Sequence, residues 1–124
     1  MAPFPMLVVS NLKNATRWYQ KTLGFRLVFE IPGPEGRPVL AHLRWPEDGH
    51  LLLVGDGKTL PLRDPSLPGI TLTFPVSKGS VDEFAQAASA HGADILVGPL
   101  DQPWHRREVT LKDPDGYRLT FVQT

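Results

Sequence analysis

The sequence contains one order of predicted elements twice: a strand, a helix and then three strands. The first copy covers residues 1–54, the second covers residues 70–124, and a connection of residues 55–69 joins them. A repeat of this length constrains the fold more than any single motif, because both copies must form the same supersecondary unit. The order β-α-β-β-β, repeated once, predicts the α+β fold class, with one domain of 124 residues built from two modules.

Glycines and turn sequences mark equivalent points in the two modules. Gly24 ends the first predicted helix and Gly92 ends the second, in the position that favours a left-handed residue. The turn PEDG at 46–49 corresponds to DPDG at 113–116. Each turn has the Pro, Asp and Gly residues that reverse the chain between two strands, so a strand is expected on either side of it.

Both predicted helices have a start signal and an apolar stripe. Ser10 or Asn11 can cap the first helix by accepting a backbone N–H bond. The second helix begins at Ser80, which forms a capping box with Glu83, each satisfying one free N–H. The stripe positions at helical spacing are Leu12, Ala15, Thr16, Tyr19 and Leu23 in the first helix, and Val81, Phe84, Ala85 and Ala88 in the second.

Composition excludes several classes of protein. The chain has 13 basic and 13 acidic residues, so there is no general basic surface and we expect no nucleic-acid partner. No apolar run of 18 residues occurs, so we expect no membrane partner. Cysteine is absent, which rules out disulfides and thiolate metal sites and fits a cytoplasmic location.

Two segments carry a resemblance to a known family. NLKNATRWYQKTLGFRL near the start and QPWHRREVTLKDPDGYRLTFVQ at the end, together with the βαβββ repeat, resemble the vicinal oxygen chelate superfamily. That superfamily includes glyoxalase I, the extradiol dioxygenases, and the fosfomycin and bleomycin resistance proteins. The resemblance implies that the two modules form a half-open, eight-stranded cupped barrel around a ligand cavity, and that the chain forms a homodimer.

Metal-using members of that superfamily hold an ion with His, Gln or Glu side chains on the first and fourth strand of each module. The resemblance carries these positions over to Phe4, Leu53, Thr71 and Thr120. Phenyl and isobutyl groups have no lone pair to donate, and neutral threonine hydroxyls are weak ligands for zinc, iron or manganese. We therefore expect no metal and no other cofactor. An atypical metal site that uses His42, His105 or Glu108 remains an alternative.

The facing of the strands predicts what the cup contains. Leu119 and Phe121 alternate with Thr120, so the apolar pair is expected beneath a helix and Thr120 on the cup. The internal repeat aligns Leu53 with Thr120, and it aligns His42 with Val109, on the side away from the cup. The residues expected on the cup are Phe4 or Met6, Val8, Ala41, Leu43, Trp45, Leu51 and Leu53 in the first module, and Thr71, Thr73, Glu108, Thr110, Arg118 and Thr120 in the second.

Such a mixed lining suits a small organic ligand. Trp45 and Trp104 can stack on a planar or cationic ring, and Glu108 can pair with a cationic group. Each also has a structural alternative: Trp45 in core packing, Trp104 and Arg107 in holding the loop before the seventh strand, and Glu108 in a salt bridge with Arg118. The expected ligand-binding residues are Phe4, Trp45, Leu53, Thr71, Trp104, Arg107, Glu108 and Thr120.

Three functions remain open at this point. The favoured one is a metal-free binding protein of the bleomycin-resistance type that sequesters an aromatic or cationic organic molecule. The alternative is an enzyme of the same superfamily, a lyase, isomerase or dioxygenase, with an atypical metal set or with metal-free acid–base chemistry by Glu108 or His42. A small dimeric module without chemistry of its own is the third.

Overall fold

A computed structural model describes residues 4–55 and 70–124 of the chain. The chain divides into two compact units, Met1–Arg63 and Asp64–Thr124. The connection expected at 55–69 falls outside the described residues except for Gly55. None of the helices in the described ranges is long and apolar enough to span a membrane.

Each unit contains the predicted order of elements, and the α+β fold class is confirmed. In the first unit the elements are β1 (Met6–Val8), α1 (Leu12–Trp18), a π-helical turn (Tyr19–Leu23), β2 (Arg26–Pro32), β3 (Pro38–Arg44) and β4 (His50–Val54). In the second they are β5 (Thr71–Val76), α2 (Val81–Ala90), β6 (Asp94–Asp101), β7 (Arg107–Lys112) and β8 (Arg118–Gln123).

The two sheets have the same topology. Their strand orders are β1-β4-β3-β2 and β5-β8-β7-β6, so the first and last strands of each unit lie side by side and parallel. The remaining neighbours are antiparallel. In each unit the turn predicted from the sequence joins the third strand to the fourth. The repeat in the sequence is thus a repeat of one mixed four-stranded sheet with one helix.

Local sequence signals start and end the helices. Asn11, rather than Ser10, caps α1, because its side chain accepts the N–H of Asn14 at 3.0 Å. Ser80 caps α2 by accepting the N–H of Glu83 at 3.1 Å. The predicted capping box is only half formed, since the Glu83 carboxylate accepts the Ser80 hydroxyl, at 3.4 Å, instead of a backbone N–H.

One face of each sheet is covered by its helix. In the first unit α1 packs on β3 and β4, and Ala41, Leu43, Leu51 and Leu53 are fully buried. In the second unit the ring of Phe84 on α2 lies 4.3 Å from that of Phe121, which is also fully buried. Leu119 and Phe121 therefore face the helix as predicted, and Thr120 lies on the opposite face. We call the side of each sheet away from its helix the open face.

The predicted facing of the first unit is wrong for six residues, since His42 was expected on the side away from the cup and lies on the open face. Ala41, Leu43, Trp45, Leu51 and Leu53 were expected on the cup, yet each is at most 5% exposed and lies on the helix-covered side. The reason is a one-residue error in the alignment of the two modules. His42 pairs with Leu52 where Thr110 pairs with Thr120, so the counterpart of Thr120 is Leu52 and not Leu53. Because side chains alternate along a strand, this shift exchanges the two faces.

Candidate functional site

The open face of the first unit is built from three cross-strand rows. Residues that are directly opposite in neighbouring strands place their side chains on the same face. The rows, given from the edge strand β2 inward, are Arg26, Arg44 and His50; then Phe29, His42, Leu52 and Met6; then Ile31, Leu40, Val54 and Val8. The face therefore changes along the strands from basic to aromatic to aliphatic.

Two histidines form a hydrogen-bonded pair on this face. Nε2 of His42 and Nδ1 of His50 are 2.9 Å apart, and which ring donates depends on the tautomer. The ring of Phe4 lies 4.9 Å from that of His50 and 5.7 Å from that of His42. The ring of Phe29 meets His42 edge-on at 5.2 Å. We call His42, His50, Phe4 and Phe29 the imidazole–phenyl cluster.

Burial in this cluster affects the titration of one imidazole. Desolvation by the surrounding protein, followed by the neighbouring His50, lowers the pKa of His42 below its ordinary value. Both effects oppose a charge on the ring, the first because water is removed from it and the second because two like charges repel. His42 is therefore neutral at pH 7 in the unliganded protein, and it keeps the hydrogen bond to His50 without a positive charge.

The open face of the second unit is more polar. The hydroxyls of Thr110 and Thr120 are 2.8 Å apart and satisfy each other. Thr71 lies exposed on the parallel neighbour β5. At the start of β7, the Glu108 carboxylate accepts the indole N–H of Trp104 at 2.9 Å, while the Trp104 side chain remains 59% exposed. This unit therefore offers hydroxyls, one carboxylate and one exposed aromatic ring.

Arg107 is held by carboxylates of its own unit. Its Nε and Nη2 donate to the two carboxylate oxygens of Asp82 at 2.8 and 2.9 Å, and Nη1 donates to Asp101 at 3.3 Å. The hydrogen bond from Arg107 lowers the pKa of Asp82, and the same bonds raise the pKa of Arg107. Arg107 thus ties β7 to the first turn of α2 and to the end of β6. These contacts agree with the structural alternative for Arg107, in which it holds the loop before the seventh strand.

The expected ligand-binding residues lie in different places, some on the open faces and others on the helix-covered side of a sheet. Phe4 belongs to the imidazole–phenyl cluster, and Thr71, Glu108 and Thr120 lie on the open face of the second unit with Trp104 beside Glu108. Trp45 and Leu53 are buried on the helix-covered side, where the ring of Phe25 packs 5.1 Å from that of Trp45. A buried side chain behind the sheet cannot contact a ligand on its open face.

Sequence reasoning missed two residues of the first unit. His50 and Leu52 are absent from the predicted site, yet both lie on the open face beside His42. The expected salt bridge between Glu108 and Arg118 does not form, because Glu108 is opposite Val122 and Arg118 is opposite Lys112. No group of three or more His, Cys, Asp or Glu that could hold a metal ion occurs among residues 4–55 and 70–124.

Comparison with known proteins gives the family. The family model described as the glyoxalase/bleomycin resistance protein/dioxygenase superfamily matches residues 3–121. The chain belongs to this superfamily. A solved structure of similar fold is TioX from Micromonospora sp. ML1, with 25% identity, 99% of this chain and 98% of that chain covered, and a TM-score of 0.76.

Other relatives agree with this assignment and do not refine it. A glyoxalase/bleomycin resistance protein from Streptomyces sp. CB03234 is 28% identical, covers 98% of this chain and 100% of that chain, and has a TM-score of 0.69. The uncharacterized protein Rv0887c of Mycobacterium tuberculosis is 29% identical over 126 residues, which is 96% of this chain and 72% of that protein. Superfamily membership leaves ligand and chemistry open, since one scaffold hosts many functions.

Proposed function

We propose that this protein binds a small organic molecule without using a metal ion. The proposal is based on the identity of four side chains. They stand at the strand positions where metal-using members of the superfamily hold their ion. After the correction of one position these are Phe4, Leu52, Thr71 and Thr120. The correction exchanges one leucine for another, and neither leucine has a lone pair to donate to a metal ion. None of the four can replace the imidazole or carboxylate ligands that zinc, iron or manganese require.

The surroundings of these positions support a ligand of organic character. The first unit provides the exposed rings of Phe4 and Phe29 and one aliphatic row, and the second provides hydroxyls and the Trp104–Glu108 pair. Small-molecule sites generally combine a large apolar lining with a few polar groups that set orientation. Each open face, taken by itself, suits an aromatic or cationic ligand, because the phenyl rings of the first unit and the indole ring of the second can stack on planar groups and attract cations.

The imidazole pair favours a second candidate function, an enzyme with metal-free acid–base chemistry. A neutral imidazole at pH 7 is a competent general base, and His50 can stabilise the charge that His42 would acquire. Glu108 is less suited to this role, since Trp104 already donates a hydrogen bond to its carboxylate. Turnover of a bound ligand, abolished in His42→Gln, would favour this candidate over binding alone.

The binding proposal predicts a result with and without a chelator. Protein treated with EDTA is screened by thermal shift and tryptophan fluorescence against aromatic acids, aromatic amines and neutral aromatic compounds. A ligand present at about 100 times its Kd is expected to stabilise the protein by about 2.7 kcal/mol. The same shift is expected before and after EDTA treatment. Binding that disappears with EDTA and returns with Zn²⁺, or about one equivalent of metal in the purified protein, would refute the proposal.

We also propose that the protein works as a homodimer in the cytoplasm. Support for the dimer comes from edge strand β2, where Leu27, Val28 and Ile31 are each at least 37% exposed. Apolar edge strands of this kind are usually covered by a partner. Analytical ultracentrifugation is expected to give twice the chain mass of 13.8 kDa. A monomer at all concentrations up to 100 times those of the binding assay would contradict it.

A further inference from the structure

A row of basic side chains crosses the open face of the first unit. Arg26 on β2 is directly opposite Arg44 on β3, and Arg44 is directly opposite His50 on β4. Like charges placed directly opposite each other destabilise a sheet, by up to about 1 kcal/mol per pair. Neither arginine forms an ion pair with any carboxylate in the ranges 4–55 and 70–124. The row therefore lacks a compensating negative charge within the described protein.

Carboxylates are absent from this face in the part of the unit that the structure describes. Glu30 is opposite Ala41 and so lies on the helix-covered side, and Glu35 is paired with Arg37 in the loop after β2. Glu47 and Asp48 belong to the turn between β3 and β4. The titratable and charged groups on the face are Arg26 from β2, His42 and Arg44 from β3, and His50 from β4, with none from β1.

The histidine pair presents different hydrogen-bonding groups in its two protonation states. Two neutral imidazoles carry two N–H protons, and one of them occupies the bond between Nε2 of His42 and Nδ1 of His50. Of the two outward nitrogens, Nδ1 of His42 and Nε2 of His50, one is then a hydrogen-bond donor and the other an acceptor. Addition of one proton keeps the shared bond and makes both outward nitrogens donors. A third state with four protons would set two N–H groups against each other across 2.9 Å.

The singly protonated pair matches an anion with two acceptor atoms. Two outward donors and one positive charge complement a carboxylate, and charge-assisted hydrogen bonds of this kind are the stronger ones. The nearby rings of Phe4 and Phe29 are 39% and 47% exposed and provide an apolar surface for a flat group. Met6 and Leu52, in the same row as His42, extend that surface.

We propose that the open face of the first unit binds an aromatic carboxylate, with the acid group at His42, His50 and the basic row and the ring against Phe4 and Phe29. This inference rests on the proposed function and narrows its ligand from an aromatic or cationic molecule to an aromatic anion. Binding takes up one proton, because the pair offers the anion two outward donors only after one proton is added. The lowered pKa of His42 supports a neutral His42 ring in the unliganded protein at pH 7 and above.

Three naphthalene probes of equal ring size test the charge preference. Isothermal titration calorimetry at pH 7.5 compares 2-naphthoate with 2-naphthylmethanol and 2-naphthylmethylammonium. The anion is expected to bind at least about tenfold more tightly than either analogue, a difference of about 1.4 kcal/mol. Titration of 2-naphthoate in phosphate and in Tris, which differ in heat of ionisation, is expected to show uptake of close to one proton. The affinity should weaken as the pH is raised further.

Substitutions that retain shape separate the charge from the packing. His42→Gln and His50→Asn keep a polar atom near the bonded nitrogen but cannot take up a proton. Combined in one chain, the two substitutions are expected to abolish the proton uptake and most of the preference for the anion. Arg44→Gln is expected to weaken 2-naphthoate several-fold with little effect on the alcohol. Arg17→Gln removes the same charge from the exposed side of α1 and should change neither affinity.

The outcomes of these titrations are distinct from those of the chelator experiment. Tighter binding of the ammonium probe than of 2-naphthoate overturns the inference and leaves the proposed metal-free binding function intact. Binding of 2-naphthoate without proton uptake, or no binding of any of the three probes, also overturns it. If a histidine variant fails to fold, as judged by circular dichroism, the two-buffer titration of the unsubstituted chain and the Arg44→Gln and Arg17→Gln pair decide the question.

Discussion

Leu53→Ala is expected to lower the free energy of unfolding of the first unit by about 3 kcal/mol. Leu53 is fully buried on the helix-covered side, in the same row as Ala41 and beside the equally buried Leu51. Truncation of such a leucine removes its transfer free energy and leaves a cavity, which together cost about 2–5 kcal/mol. Urea unfolding followed by the fluorescence of Trp18 and Trp45, in a Trp104→Phe background, reports on this unit alone.

The neighbouring leucine is a matched control for that experiment. Leu52→Ala deletes the same atoms one position away, but Leu52 is half-buried on the open face. We expect it to cost about 1 kcal/mol or less, because little cavity is created at a partly exposed site. The reverse order, with Leu52 the costlier position, would mean that Leu53 faces the ligand side and that the corrected alignment of the two modules is wrong.

This pair of leucines shows why the facing of the strands was predicted for one unit and not for the other. In RLTFV the polar residues Arg118 and Thr120 alternate with apolar ones, so the period of two by itself identifies the buried side. HLLLV has three consecutive leucines, and such a run is compatible with either face. The predicted facing then depends on the alignment of the two modules, and an error of one residue inverts it.

The element order and helix boundaries were predictable because their signals are local. A cap at Asn11 or Ser80 and a left-handed glycine at Gly24 or Gly92 act within one turn of the chain. The contacts that define the candidate site join residues far apart in sequence. Arg107 meets Asp82 across 25 positions, and the distance between them depends on how α2 packs on its sheet. No local pattern contains that information.

The histidine pair lies between these two cases. His42 and His50 lie on the two strands of a hairpin. The turn of that hairpin, PEDG, is predictable from the sequence. The pair was missed because the alignment of the modules placed His42 on the side away from the cup, whereas it lies on the open face with His50. His50 is the first residue of β4 and lies opposite Arg44. It is therefore a diagonal neighbour of His42 on the same face.

Phe4→His is expected to create a metal site in the first unit. The ring of Phe4 lies 4.9 and 5.7 Å from the rings of His50 and His42, so an imidazole there would complete a group of three. Ligand nitrogens around a tetrahedral zinc ion at about 2.0 Å are about 3.3 Å apart, close to the 2.9 Å between the two present nitrogens. Calorimetric titration with Zn²⁺ should give one equivalent bound with a Kd on the order of 1 μM, about 8 kcal/mol.

Matched variants test whether the gain in Zn²⁺ affinity comes from the imidazole–phenyl cluster. Phe4→Leu removes the phenyl ring without adding a donor and should bind Zn²⁺ no better than the unsubstituted chain. Phe4→His combined with His42→Gln leaves two imidazoles and should lose the tight site, which also excludes an accidental contribution from the chain terminus. Three imidazoles and one water are the ligand set of open catalytic zinc sites, so bound Co²⁺ should give the visible absorption of a tetrahedral complex. If Phe4→His binds no more zinc than Phe4→Leu, an imidazole at position 4 does not complete a metal site with His42 and His50.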